Sequence, residues 1–217
     1  PLYSYIDLDT QSWPEELLKE FNQSSDGVNV LEYLEKVIIT GSTGLAKNLK
    51  SVIEATPYIG DSHIVNTVRV EDTINWDYYD VFINCAHVDF EQVELLQECF
   101  EAFKTHKEKT IVNISSRAHQ PNISKGYKYA AQKAALNHLS NNLVYNNVEK
   151  QCRIMTINLG LLNHPTLPSL DYNEVSGYIL RYLTWDSHLE IPEVTLQHSA
   201  NYLAVQHQKE LDKLLEQ

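Results

Sequence analysis

Lys36-Val-Ile-Ile-Thr-Gly-Ser-Thr-Gly-Leu45 runs an unbroken apolar stretch straight into a turn with two glycines. An apolar run without alternation reads as a strand buried on both faces, the habit of parallel sheets. Gly41 lets the chain turn tightly, and Gly44 lets the backbone come close to a pyrophosphate. The spacing predicts a helix from about Leu45 to Ala55. Its first turn offers unpaired N–H groups and the positive end of the helix dipole. Strand, glycine turn and helix in that order form the context of a phosphate-binding turn. Taken alone, the segment also fits an ordinary strand–helix connection. A third glycine, which would bring helix and strand close together, is replaced by Lys47.

The same alternation continues along the chain. His63-Ile-Val65 and Thr67-Val-Arg-Val70 are two short strand candidates, and Asp80 to Cys85 is a stronger one. A helix is expected from about Phe90 to Lys104, with Val93, Leu96, Cys99, Phe100 and Phe103 on one face. Thr110 to Ile114 is the next strand, followed by a helix that runs to about Val144. Arg153 to Ile157 is a further strand, with helices near Asn173 to Tyr182 and from about Ser199. Strands alternating with helices imply an α/β fold, a doubly wound parallel sheet with helices on both faces. Residues 1 to 35 read as an N-terminal extension, with an apolar piece at Leu2 to Leu8 and a helix from about Ser12 to Phe21. Residues 36 to 217 read as one Rossmann-type domain.

The 217 residues carry a formal charge of -12, with a pI of about 5.1. With no basic cluster to offset it, that charge argues against a nucleic-acid partner or an anionic membrane surface. No apolar stretch approaches a membrane span. No basic n-region with an apolar h-region opens the sequence, and the expected location is cytoplasmic. Cys85, Cys99 and Cys152 are widely spaced and read as reduced and buried. The nine histidines show no metal-ligand spacing.

The chemistry concentrates at Ser116, Tyr129 and Lys133. Tyr129-Ala-Ala-Gln-Lys133 stacks a phenol and an ammonium on one helix face, at positions i and i+4. A nearby ammonium favours ionised tyrosine, which suits the phenol to general acid/base work near neutral pH. Ser116, at the end of the preceding strand, would hold a substrate oxygen beside that phenol. Tyr127 has alanine at its i+4 position and lacks this partner. His87, His119 and His164 read as loop histidines near the site. Cys85 reads as core filler rather than a nucleophile, with no basic residue beside it in sequence.

Taken in order, Thr40-Gly-Ser-Thr-Gly44, Asn84-Cys-Ala86, Val112-Asn-Ile-Ser-Ser116, Tyr129-Ala-Ala-Gln-Lys133 and Asn158-Leu-Gly160 resemble the short-chain dehydrogenase/reductase family. The resemblance covers about residues 36 to 165. It implies a Rossmann-type fold, NAD or NADP as cofactor, a small-molecule substrate and hydride transfer to or from a carbonyl or alcohol. It also implies the individual roles. Tyr129 would be the general acid/base, Lys133 would hold the ribose hydroxyls, and Ser116 would position the substrate. Gly41, Ser42, Thr43, Gly44 and Leu45 would surround the pyrophosphate. Asp72 would contact adenine, while Asn84 and Ala86 would line the adenosine side. The family's dimer face would include Ala130, Ala134 and Leu139, so a homodimer is possible.

The chain departs from the pattern as a trimmed member would. His87 leads almost directly into the next helix. The position of the family's fourth catalytic residue, an Asn, falls near Val88. The segment after Gly160 is short. Asp61 would favour NAD, whereas Lys47 and Arg69 would favour NADP. Two other functions stay open at this level. One is a non-catalytic nucleotide-binding or scaffold protein with a relic site. The other is a sugar-nucleotide epimerase or dehydratase, which the turn's glycine spacing fits but the chain length does not.

Overall fold

A computed structural model describes residues 36–56, 64–121, 126–184 and 190–200. Backbone contacts group the chain into Pro1–Val30 and Leu31–Gln217, and every described residue belongs to the second unit. The expected N-terminal extension with its helix, Asp61, and most of the helix from Ser199 lie outside the described residues.

Six strands form one parallel sheet: β1 (Lys36–Thr40), β2 (Ile64–Val68), β3 (Val81–Asn84), β4 (Thr110–Ser116), β5 (Arg153–Leu159) and β6 (Glu193–Leu196). Their order is β2-β1-β3-β4-β5-β6, and every neighbouring pair is parallel. The connecting helices are α1 (Gly44–Glu54), α2 (Glu91–Phe103), α3 (Tyr127–Asn146) and α4 (Tyr172–Leu183).

Successive strand residues point to opposite faces, which builds two cores. Val37, Ile39, Val81, Ile83, Val112, Ile114, Met155 and Ile157 pack against Leu45, Leu49 and Ile53 of α1 and Val175, Ile179 and Leu183 of α4. On the other face Ile38, Phe82, Ile111 and Ile154 meet Leu95, Leu96, Cys99, Phe100 and Phe103 of α2 and Leu136 of α3. The expected doubly wound sheet with helices on both faces is the fold observed.

Two features differ from the sequence reading. A single strand, β2, stands where two short ones were expected. Its pairing with β1 spans Asn66 and Thr67, and the Asn66 amide is satisfied by donating to Tyr79 Oη at 2.9 Å. Beyond Val68 the chain turns, because the Arg69 N–H donates to Asp72 Oδ2 at 2.9 Å. β6 was not anticipated. It is a four-residue edge strand with a mixed polar pattern, too short to stand out as a period.

Candidate functional site

The chain passes from β1 outward to β2, then returns to β3 on the other side of β1. A sheet that reverses direction in this way leaves a crevice beyond the carboxyl ends of the two diverging strands. A cleft of about 440 Å³ opens there, lined by residues from the ends of β1, β3, β4 and β5. That volume lies within the range of small-molecule sites, roughly 300–1,000 Å³.

The glycine turn forms one wall. Gly41 has φ +94° and Gly44 has φ +53°, both in the region that favours glycine. A Cβ on Gly41 would stand 3.2 Å from the Ala86 Cβ. That close approach is held by Thr40, whose hydroxyl accepts from the N–H of Cys85 at 2.8 Å and of Ala86 at 3.0 Å. Gly41 N–H donates to Val68 O at 2.8 Å, so the end of β2 lies beside the turn. Gly41, Thr43, Leu45 and Ala86 line the cleft. Ser42 and Gly44 complete the turn and are exposed. Thr43 occupies the N-cap position of α1 without a side-chain bond to it.

Ser116, Tyr129 and Lys133 all line the same cleft. Ser116 ends β4 and accepts from Ala118 N–H at 3.2 Å. Tyr129 lies in the first turn of α3, with its ring edge-on to His87 at 4.8 Å between centroids. Lys133, one turn on, is buried at 3 % exposure with Nζ 5.7 Å from the Tyr129 ring centroid. Burial pushes its ammonium down from the ordinary 10.5 to about 8, with Cys85 pulling weakly the other way.

Cys85 lines the floor of the cleft, where burial pushes its thiol up to about 12 against the pull of Lys133. It is therefore a thiol, not a thiolate, near neutral pH. His87 is held below its ordinary value, first by burial and then by Lys133. His119 stays outside the cleft lining, with Nδ1 2.8 Å from Ser116 O. His164 Nδ1 accepts from Thr166 and Leu167 N–H groups within its own loop.

Besides Ser42 and Gly44, Asn84 and Asp72 of the expected site residues lie apart from the cleft lining. Asn84 is fully buried, and its amide donates to Gln92 O at 2.8 Å and to Asn113 Oδ1 at 3.2 Å. Asp72 closes the turn after β2. Conversely, Gln92 and Tyr172 went unread. Gln92 opens the buried stripe Gln92, Leu96, Cys99 and Phe103 of α2, and one polar residue on an otherwise apolar face is the signal that marks it. Tyr172 reaches the glycine turn from α4, a contact with no trace in local sequence.

Among the described residues, no group of His, Cys, Asp or Glu could hold a metal ion, and no helix is long and apolar enough to cross a membrane.

A family model described as short chain dehydrogenase matches residues 71–174. No curated protein matches the sequence. Among solved structures, serine dehydrogenase from Escherichia coli is 18% identical, with a TM-score of 0.59, covering 77% of this chain and 100% of the other. An alcohol dehydrogenase from the archaeon Thermococcus sibiricus, complexed with 5-hydroxy-NADP, is 13% identical with a TM-score of 0.59, covering 77% and 97%. A 3-alpha-hydroxysteroid dehydrogenase from a Pseudomonas species, complexed with NADH, is 16% identical with a TM-score of 0.56, covering 74% and 94%. At such identities these likenesses concern the fold. Together with the family match over residues 71–174, they show a chain similar to short-chain dehydrogenases over that stretch and in its fold.

Proposed function

We propose that the protein is an NAD(P)-dependent oxidoreductase acting on the carbonyl or alcohol group of a small molecule. The observation that carries this reading is that Ser116, Tyr129 and Lys133 line one cleft together with Gly41 and Thr43 of the glycine turn. The two positive-φ glycines shape the tight turn beside which a pyrophosphate would lie. The N–H groups of the first turn of α1 face the same space. A nicotinamide held there by the glycine turn and Lys133 would supply or accept a hydride at the substrate carbon.

The chain's own residues would handle the oxygen. In the reducing direction, Tyr129 Oη delivers its proton to the carbonyl oxygen as the carbon gains the hydride, and an alcohol results. Ser116 Oγ holds that oxygen in place. Lys133 keeps a positive charge near the phenolate that forms, favouring it electrostatically. Leu159, Leu162 and Tyr172 surround the space with apolar surface and keep water away.

The outer ribose would lie by the end of β2, where the Gly41–Val68 bond sets Arg69 beside the turn. Arg69 is exposed, and Glu71 is its nearest charged partner at 3.8 Å. A guanidinium at that place supports a 2′-phosphate and hence NADP.

A non-catalytic protein with a relic site is the second reading. What favours it is the Tyr172 hydroxyl, which stands in front of Gly44 where a phosphate would approach. Titration of the full chain with NADH and NADPH by calorimetry tests the first reading. The expected result is saturable micromolar binding, about -8 kcal/mol. Absence of binding to both nucleotides, with a folded protein, would overturn it. Binding without turnover across a panel of ketones, aldehydes and alcohols would favour the second reading.

A further inference from the structure

Behind Lys133 of the cleft lining lies a buried amide that the family motifs do not explain. Gln92, in the first turn of α2, is 2 % exposed. Its Nε2 donates to Asn84 O at 2.8 Å and to Ile114 O at 3.2 Å. Both acceptors are main-chain carbonyls of β3 and β4. Turned over, the amide would set its oxygen against two carbonyl oxygens and its NH₂ against an ammonium. It therefore has one orientation, and that orientation aims Oε1 at Lys133 Nζ, 2.6 Å away.

Lys133 Nζ makes a second bond, to Ile114 O at 2.9 Å. An ammonium has three N–H donors, so one remains for the cleft. Among the described residues no carboxylate pairs with it. The titratable groups that face it are Cys85 after β3, His87 in the following loop and Tyr129 on its own helix. From α2 and β4 it receives only the Gln92 amide and the Ile114 carbonyl. Gln92 is itself fixed at its main chain, because the Asn84 amide donates to Gln92 O at 2.8 Å.

We propose that Gln92 is the positioning residue for Lys133, a neutral brace that holds the ammonium at the cleft floor and leaves a single N–H for the oxygen of a bound ligand. The link between the two residues follows from the bonds above. Only the identity of the ligand, the nucleotide ribose, rests on the oxidoreductase reading. Burial alone works against the charge of Lys133, and the low position of its titration agrees with a brace that carries no charge of its own.

The test is the titration of the Lys133 side chain by nitrogen NMR on the full chain carrying labelled lysine, with the signal assigned through Lys133→Arg. In Gln92→Leu the ammonium loses an acceptor while staying buried, and its midpoint falls by about one unit, a tenfold change in proton affinity. In Gln92→Glu, which keeps the shape and adds an anion, the midpoint rises by about as much or more. An unchanged midpoint in a folded Gln92→Leu overturns the proposal. If that variant does not fold, an unchanged midpoint in Gln92→Glu overturns it instead. These readings need no cofactor, so they separate the two ideas. A midpoint that moves in a protein that binds neither nucleotide sustains the brace and sinks the oxidoreductase. A fixed midpoint in a protein that binds NADPH does the reverse.

Discussion

The hydroxyl of Tyr172 stands 3.2 Å from the point where a Cβ on Gly44 would lie, so the missing side chain of one residue is the seat of the other. α4 is held in that place by Asn48 of α1, which donates to Asn173 Oδ1 at 2.8 Å and accepts from Ser176 Oγ at 2.7 Å. Gly44→Ala combines a positive φ with this contact. It is expected to destabilise the protein by about 1–2 kcal/mol. Tyr172→Phe removes the hydroxyl and relieves part of the crowding. The double variant should therefore cost less than the sum of the singles by about 0.5 kcal/mol or more. Denaturant unfolding of the four proteins checks this, and strict additivity would mean that the two residues do not meet.

Tyr129→Phe keeps the ring and its edge contact with His87 but removes the proton. Turnover should fall by about 10²–10⁴-fold, with nucleotide affinity changed only a few-fold. Steady-state rates and calorimetry on the same preparation give both numbers. Turnover equal to the parent's would remove Tyr129 from the chemistry.

The charge on Lys133 sets a pH limit. Its folded value of about 8 is below the ordinary 10.5, so the ammonium is present below pH 8 and lost above it. Affinity for a ligand that takes the remaining N–H should be constant between pH 6 and 7 and decline above about pH 8. The stability effect has the opposite sense. Between about pH 8 and 10.5 the unfolded chain holds this proton more tightly, so stability gains with rising pH there. Cys85, raised from 9.0 to about 12, opposes that trend between those two values, because its contribution is lost as pH rises. Nucleotide titrations at a series of pH values report the first effect without interference from the second, provided the protein is folded throughout.

Glu193 anchors β6 through three amides. Asn137 and Asn158 donate to Oε1 at 3.2 and 2.6 Å, and Asn141 donates to Oε2 at 3.1 Å. Asn137 and Asn158 are buried, so Glu193→Ala leaves buried donors short of an acceptor. A loss of about 2–4 kcal/mol is expected. Hydrogen exchange should show where the loss falls. Gly160 N–H, which donates to Leu196 O, and Thr156 N–H, which donates to Pro192 O, should lose protection before the amides of β1 do. A uniform loss would contradict this account.

The central strands were legible because parallel strands buried on both faces are written as plain apolar runs. Val37 to Ile39 is such a run, and Ile111 to Ile114 and Ile154 to Ile157 are each broken by one polar residue only, Asn113 and Thr156. The Tyr129–Lys133 pair was legible because both residues lie on one helix and i+4 spacing fixes their proximity. The rest depends on where separate elements meet. Nothing around Gln92 shows that two carbonyls from β3 and β4 will orient its amide. Nothing around Tyr172 names Gly44. Asn84 belongs to a recognisable motif, yet its side chain ties β3 to α2. β2 was read as two strands because Asn66 interrupts its apolar pattern, and the phenol that satisfies Asn66 lies beyond the next turn.

Between α1 and β3 the described chain spends one strand, and from β2 to β3 only the Arg69–Asp72 turn and the short 3-10 turn Trp76–Tyr78 intervene. In evolutionary terms this separates two tasks. The turn after β2 is distant from β4 and α3, so under the proposed function substitutions there would retune the choice of nucleotide while Ser116, Tyr129 and Lys133 stay as they are. A short segment that bears on one property alone is where such a protein adapts most readily.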